Sequence, residues 1–332
     1  MGEPELSVVV PVYCSAETLR PLVRRLSDVL SSLTESWELI FVDDGSRDRS
    51  WEVLETLQSE QPDRLFAIQL MRNFGQHNAL MCGFRQARGR LIITLDDDGQ
   101  NPPEEIPILI RALDEQQADL VYGVAERRQH ANWRNAGSAV VNLFFRRVFR
   151  LPVTVSSFRV MRRELVQAIL SYSLNFTYID GLCAWNSQRI AEVTVAHHPR
   201  QAGRSGYSLS KLTMLALNLF TNFSLLPLQL VSLLGLCTAG FGFLIGCSYL
   251  VLWLSGQISV PGYASLITAI LMLGGVQLLS LGIMGEYLGR LHLNMNRKPQ
   301  YTIRRAAGQP VNESQDRMVR TAETTSATSV AE

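Results

Sequence analysis

Three consecutive carboxylates, Asp96-Asp97-Asp98, followed by Gly99-Gln100-Asn101-Pro102-Pro103-Glu104, are the residues of this chain best suited to chemistry. They repel one another, and no fold needs three adjacent charges. In an extended tip side chains alternate, so Asp96 and Asp98 are expected on one side and Asp97 on the other. Two carboxylates on one side offer hard oxygen donors that suit Mg2+ or Mn2+ bridging the phosphates of a substrate. The competing reading is a solvated acidic turn. A second acidic pair, Asp43-Asp44-Gly45-Ser46, can accept hydrogen bonds from a base edge or ribose hydroxyls, or simply form a strand-to-helix turn.

The elements around these residues must deliver them to one place. Leu91-Ile92-Ile93-Thr94-Leu95 reads as a short buried strand, and the prolines after the carboxylates suit a turn or a helix start. Upstream, Leu6–Tyr13 is a strand, Glu17–Leu33 a helix, Trp37–Val42 a strand that ends in Asp43-Asp44, and the Trp51–Leu57 region a helix. Phe66–Met71 then reads as a strand, Gln76–Ala87 as a helix, Glu104–Asp114 as a helix and Leu120–Val124 as a strand. Such alternation predicts an α/β fold with a parallel sheet and helices on both faces, and open sheets of this kind bind ligands at the strand carboxyl ends. Neither a G-x-G-x-x-G after the first strand nor a G-x-x-x-x-G-K-[ST] is present, which removes the main support for dehydrogenase and P-loop readings.

The 332 residues suffice for about two domains, and a net charge of +1 gives no sign of nucleic-acid binding. Between Lys211 and Glu286 there is no Asp, Glu, Lys, Arg or His, a span long enough for two membrane crossings. We place these at about Leu228–Leu254 and Ala264–Gly285, with Ser255–Gly262 as a hairpin turn. Basic residues flank the pair, with Arg200, Arg204 and Lys211 before and Arg290, Arg297, Lys298, Arg304 and Arg305 after. By the positive-inside rule both termini and the front domain are expected in the cytoplasm. Around residues 133–150, Val140, Phe144, Phe145 and Val148 mix with Arg134, Arg146, Arg147 and Arg150. That pattern predicts an interfacial helix facing anionic headgroups. The five cysteines are scattered, so neither a disulfide nor a zinc framework is expected. His197-His198, read as strand residues, face opposite sides and make a poor chelate, whereas His77 at a strand-to-helix turn is the better site candidate.

Four segments together carry a resemblance. Val9-Val10-Pro11-Val12-Tyr13, Val42-Asp43-Asp44-Gly45-Ser46, Asn73-Phe74-Gly75-Gln76-His77 and the Asp96 segment, in this order and spacing, resemble family 2 glycosyltransferases of the GT-A fold. The nearer likeness is to the bacterial polyprenyl-phosphate glycosyltransferases, and it extends to Gly285-Glu286-Tyr287-Leu288-Gly289-Arg290. The resemblance implies a Rossmann-like nucleotide-sugar domain over residues 1–206, a juxtamembrane amphipathic helix at 207–227, a two-helix transmembrane hairpin within 228–285, and a cytoplasmic segment at 286–332 with a disordered tail. Implied too are a UDP-sugar donor, a polyprenyl (undecaprenyl) phosphate acceptor, a homo-oligomer (a tetramer), and a multi-pass location in a bacterial inner membrane.

Residue by residue, the likeness assigns Pro11, Tyr13, Glu17, Asp44, Asp97, Arg200 and Ser205 to the nucleotide-sugar, with Gly203 in the same segment. It gives Asp96, Asp98 and Gln100 to the metal. Arg159, Ser157 and Arg204 fall to the acceptor phosphate, with Asp98 and Arg159 the catalytic pair. Cys14-Ser15 stands where the family usually has Asn-Glu, with Glu17 a substitute acceptor, and Gly206 stands where a Lys is usual. The implied reaction is inverting sugar transfer. The other readings are a processive polysaccharide synthase, whose Q-x-x-R-W and additional crossings are missing, an inactive scaffold of the same fold, and a nucleotidyltransferase.

Overall fold

The computed structural model describes residues 4–125, 153–173, 177–197, 226–255, 262–295 and 299–308. These fall into two compact units, one of Met1–Ser205 together with Pro299–Glu332 and one of Gly206–Lys298. The expected interfacial helix at 133–150, the juxtamembrane helix at 207–227 and the tail beyond Gly308 lie outside the described residues, as do Arg200, Gly203, Arg204, Ser205 and His198.

The first unit is built on an eight-stranded sheet. Its elements in chain order are β1 (Leu6–Val12), α1 (Ala16–Leu33), β2 (Trp37–Asp43), α2 (Ser50–Glu60), β3 (Leu65–Leu70), α3 (Gln76–Gln86) and β4 (Leu91–Thr94). A 3-10 turn at Pro103–Glu105 leads into α4 (Ile106–Glu115). β5 (Leu120–Ala125), β6 (Arg159–Arg162), α5 (Arg163–Leu170), α6 (Ile179–Asn186) and β7 (Ile190–Val195) follow. Apolar runs make β1 and β2 buried along their whole length, as expected of strands covered on both faces. Leu6, Val8, Val10 and Val12 join the core under α1, α2 and α4. On the other face Val9 and Val42 meet α3 so closely that a Cβ on Gly83 would lie 2.3 Å from Val9 Cγ1.

The strand order is β7-β5-β6-β4-β1-β2-β3-β8. β1 pairs in parallel with both β2 and β4, β2 with β3, and β5 with β7. β6 runs antiparallel between β4 and β5. The sheet is mostly parallel, as the alternation of elements predicts. The chain leaves β1 toward β2 on one side and reaches β4 on the other. A crevice therefore opens between the carboxyl ends of β1 and β4, the switch point at which open α/β sheets bind ligands.

The last strand of the sheet has no counterpart in the sequence reading. β8 (Ile303–Ala307), after the long apolar region, pairs antiparallel with β3 and closes that edge of the sheet. Met71 N–H donates to Thr302 O at 2.9 Å, Arg305 Nε donates to Gln69 Oε1 at 2.9 Å, and the Arg305 guanidinium lies 4.6 Å from the Trp51 ring centroid. A smaller difference concerns His197, which falls beyond the end of β7 and not on it.

The second unit contains α7 (Leu226–Leu254) and α8 (Tyr263–Met295). α8 continues well past the Gly285 expected for its end. Leu236, Phe243 and Leu278 are each 72% exposed, so these apolar side chains are not covered within the unit. Counted over the described residues alone, no helix is long and apolar enough to cross a membrane. The complete sequence of both segments up to Gly285 nevertheless carries no charged residue or histidine.

Candidate active site

The crevice is built from four turns at strand ends. Gly45, Gly75 and Gly99 follow β2, β3 and β4, and all three have positive φ. Gly45 is the most constrained. At φ +69° its Cβ would stand 2.6 Å from the Arg72 carbonyl carbon, so only glycine lets the two turns touch. Asp44, almost fully buried, accepts Phe74 N–H at 2.7 Å and Gly75 N–H at 2.8 Å and fastens those turns together. Burial pushes its carboxyl up to about 6, and the two backbone donors oppose that rise. Asp43 is turned to the sheet, where it accepts Gln69 Nε2–H at 2.7 Å and Ser46 N–H at 2.9 Å.

The β1–α1 turn is held from its neighbours. Tyr13 N–H donates to Asp97 Oδ2 at 3.1 Å, directly across the β1/β4 switch point. Cys14 N–H donates to Ser46 Oγ (2.9 Å), Ser15 N–H to Ser50 Oγ (2.9 Å), and Ala16 N–H to Asp48 Oδ2 (3.2 Å). The β2–α2 loop thereby supplies acceptors around Cys14-Ser15, where the family's Asn-Glu is missing. Asp48, Ser46 and Ser50 were not singled out by sequence because their partners lie more than thirty residues away. Asp48 is held below the usual carboxylate range, with donors from Ser50 and Ala16 outweighing its desolvation. Glu17 is exposed on the first turn of α1, and Pro11 is buried in β1.

The three carboxylates diverge. Asp97 faces Tyr13 N–H, and desolvation pushes its carboxyl up to about 6 against the donors from Ser15 and Tyr13. Asp96 accepts Gln76 Nε2–H on Oδ1 and Ser157 Oγ–H on Oδ2, both at 2.6 Å. Its carboxyl is raised by desolvation and further by the charge of Asp98. Asp98 Oδ1 accepts Gln100 N–H at 3.1 Å, which closes the turn. β4 ends at Thr94 and Asp97 and Asp98 lie in a turn, so the extended tip expected from the sequence is not formed, and Asp96 is gripped on both oxygens. Among the described residues no group of three or more His, Cys, Asp or Glu is placed to hold a metal ion by itself. The donor set of Asp96, Asp98 and Gln100 is nonetheless all oxygen, and the repulsion between Asp96 and Asp98 is relieved by a cation. These residues fit a hard divalent ion whose remaining ligands come from a substrate or water.

Arg159 is the first residue of β6. Its side chain is 1% exposed and its guanidinium is ion-paired with Asp180 Oδ1. Tyr122 OH donates to the same oxygen at 2.8 Å, and Arg159 Nε donates to Thr94 Oγ1 at 3.1 Å. The guanidinium is thus engaged by the protein's own groups. Ser157, which the resemblance assigns with Arg159 to the acceptor phosphate, has its hydroxyl committed to Asp96. The ring of His77 lies edge-on to Tyr178 at 5.0 Å, and burial pushes its imidazole down to about 4. Asp180, Tyr122 and Thr94 carried no sequence signal beyond their own residue types.

The architecture is that of an α/β domain with a mostly parallel sheet and an acidic cluster at its switch point. Residues 7–170 match the model of Glycosyl transferase family 2. The undecaprenyl-phosphate 4-deoxy-4-formamido-L-arabinose transferase of Yersinia enterocolitica is 37% identical over 313 residues, 92% of this chain and 94% of that protein. The protein of the same name from Pseudomonas paraeruginosa is 39% identical over 306 residues, 90% of this chain and 89% of that protein. Among solved structures, glucosyl-3-phosphoglycerate synthase of Mycobacterium tuberculosis, in complex with Mn2+, UDP and phosphoglyceric acid, aligns with a TM-score of 0.49 at 18% identity, over 66% of this chain and 76% of that one. The chain belongs to glycosyl transferase family 2, and it is a glycosyltransferase.

Proposed function

We propose that this enzyme transfers a sugar from a UDP-sugar to a polyprenyl phosphate, with inversion, to give a lipid-linked sugar for lipid A or cell-envelope modification. The observation that carries the reading is similarity over more than nine-tenths of the chain to undecaprenyl-phosphate 4-deoxy-4-formamido-L-arabinose transferase. The clasp between Tyr13 and Asp97 supports it, because it sets a carboxylate cluster at the sheet position where nucleotides bind. In this reading Pro11, Tyr13, Asp44 and Asp97 line the nucleotide pocket, with Glu17 at its rim and Arg200 and Ser205 toward the diphosphate. Asp96, Asp98 and Gln100 would hold Mg2+ or Mn2+, which when bound neutralises charge on the departing diphosphate.

The chain's own residues have a simple task. A phosphate monoester has a second pKa near 6, so the acceptor is largely anionic at neutral pH and needs no strong base. A single attack on the anomeric carbon then inverts it. Because Arg159 is engaged with Asp180, Arg204 is left as the cation proposed for the acceptor phosphate, where a planar fork matches its oxygens.

The apolar α7 and α8 are proposed to cross the inner membrane as a hairpin. Residues on either side of 206–298 belong to one unit, and β8 pairs with β3. Any passage through a bilayer within that segment must therefore return to the side it left, which supports an even number of crossings. Homo-oligomerisation, with a tetramer as the state proposed, rests on the resemblance alone. The test is to incubate purified full-length protein with undecaprenyl phosphate and a panel of UDP-sugars, following the lipid product. Transfer from UDP-4-deoxy-4-formamido-L-arabinose is expected, and no lipid-linked product with any donor refutes the proposal.

A further inference from the structure

We propose that Arg159 and Asp180 form a positioning device for Asp96, acting through Thr94 and Ser157. The inference rests on the reading of Asp96 as part of the metal and donor site. An unbroken series of hydrogen bonds joins the two. Asp180 is anchored by Tyr122 OH at 2.8 Å and by the ion pair with Arg159. Arg159 Nε donates to Thr94 Oγ1 at 3.1 Å, Thr94 Oγ1–H donates to Ser157 O at 2.6 Å, and Ser157 Oγ–H donates to Asp96 Oδ2 at 2.6 Å.

The direction of each bond is forced. A guanidinium has no acceptor, so Thr94 receives from Arg159 and must spend its single proton on the Ser157 carbonyl. That bond fixes the Ser157 peptide. The Ser157 hydroxyl, on a fixed backbone, meets a carboxylate that only accepts. Strand pairing reinforces the geometry, since Thr94 and Arg159 are register partners on β4 and β6. Gln76 Nε2–H holds the other Asp96 oxygen at 2.6 Å, so the carboxylate plane is set from both sides. Each oxygen keeps a lone pair for a ligand.

Arg159 is ion-paired with Asp180 and acts on the orientation of Asp96 through Thr94 and Ser157. It is a positioning residue. Groups that orient a metal-binding carboxylate typically change metal affinity by about 10–100-fold when removed.

The experiment measures free Mn2+ by electron paramagnetic resonance on full-length protein in detergent with UDP present, alongside thermal melts. Asp180→Ala strands a buried guanidinium, and its unfolding would obscure the outcome, so the decisive variants are the near-isosteric Thr94→Val and its control Thr94→Ser. Thr94→Val is expected to weaken Mn2+ binding about tenfold at an unchanged melting temperature, and Thr94→Ser to bind as the unmodified protein does. Ser157→Ala, with Ser157→Thr as its control, repeats the measurement should Thr94→Val fail to fold. Unaltered Mn2+ binding in folded Thr94→Val, while Asp98→Asn loses it, overturns the positioning role and leaves the donor-site reading standing. Unaltered binding in Asp98→Asn as well overturns the donor-site reading, and this inference with it.

Discussion

At the scale of single residues, the carboxylates of the crevice differ by what they already hold. Asp96 accepts two short side-chain hydrogen bonds, Asp97 takes the Tyr13 amide, and Asp98 closes its own turn. Asp98→Asn keeps that turn's acceptor but removes a charge, so it is expected to stay folded and to lose transfer by at least two to three orders of magnitude, as loss of a charge-stabilising group does. Near-normal turnover of the lipid product would contradict the assignment. His77 offers a test by pH. Its pKa of about 4 lies below the ordinary 6.5, so between those values the unfolded chain binds the extra proton and stability rises with pH. Asp44 and Asp97, both pushed up to about 6, act in the opposite sense over much of the same window. Urea denaturation of His77→Gln should therefore show a slope of stability against pH between 4 and 6.5 that is less positive than that of the unmodified protein; identical slopes would place the imidazole in solvent.

At the scale of elements, the turns depend on glycine where two backbones meet. Gly45→Ala would force a Cβ into the Arg72 backbone at a left-handed φ, and is expected to cost more than about 1 kcal/mol. A chemical denaturation midpoint matching the unmodified protein would show that the turns can part. The opposite end of the sheet has its own polar lock. Buried Glu38 accepts Ser7 Oγ–H at 2.6 Å, Arg88 N–H at 2.8 Å and the Arg88 guanidinium at 2.6 Å and 3.0 Å. Glu38→Ala leaves those donors partly unmet, an expected loss of about 3–5 kcal/mol measured by urea melts. β8 has a further duty. Without it β3 would present an open edge, a template for pairing with other chains. Ending the chain at Lys298 is expected to lower the melting temperature and promote aggregation, which light scattering reads directly.

At the scale of the whole molecule, the two units have opposite solvent needs. The first buries Val, Leu and Ile on both faces of its sheet, whereas α7 and α8 leave Leu236, Phe243 and Leu278 uncovered within their own unit. A lipid phase satisfies those side chains where water does not. In the proposed hairpin, the return of β8 to the sheet would keep the two ends of that apolar region on one side. In intact cells a tag at Glu332 should be protected from external protease, and a label in the Ser255–Gly262 segment should be reachable. Cleavage of the Glu332 tag from outside would mean an odd number of passages.

The sequence by itself determined the alternation of elements, because periods of 2 and 3.6 in apolar residues are local properties. It also located Asp44 and Asp96-Asp97-Asp98 at strand ends, since the breaks after them are written in Gly and Pro. What only the tertiary structure decided depends on partners remote in the chain. The resemblance assigns Arg159 to the acceptor phosphate, but its engagement with Asp180 and Thr94 beside Tyr122 is set only once β4, β5, β6 and α6 assemble. β8 is a short strand whose pairing with β3 spans more than two hundred residues, so no local pattern announces it. The acceptors around Cys14-Ser15 likewise come from a loop more than thirty residues downstream. Periodicity reports which face of an element is apolar; which polar groups meet across the assembled sheet follows from strand order and register, and these are fixed only when the chain closes on itself.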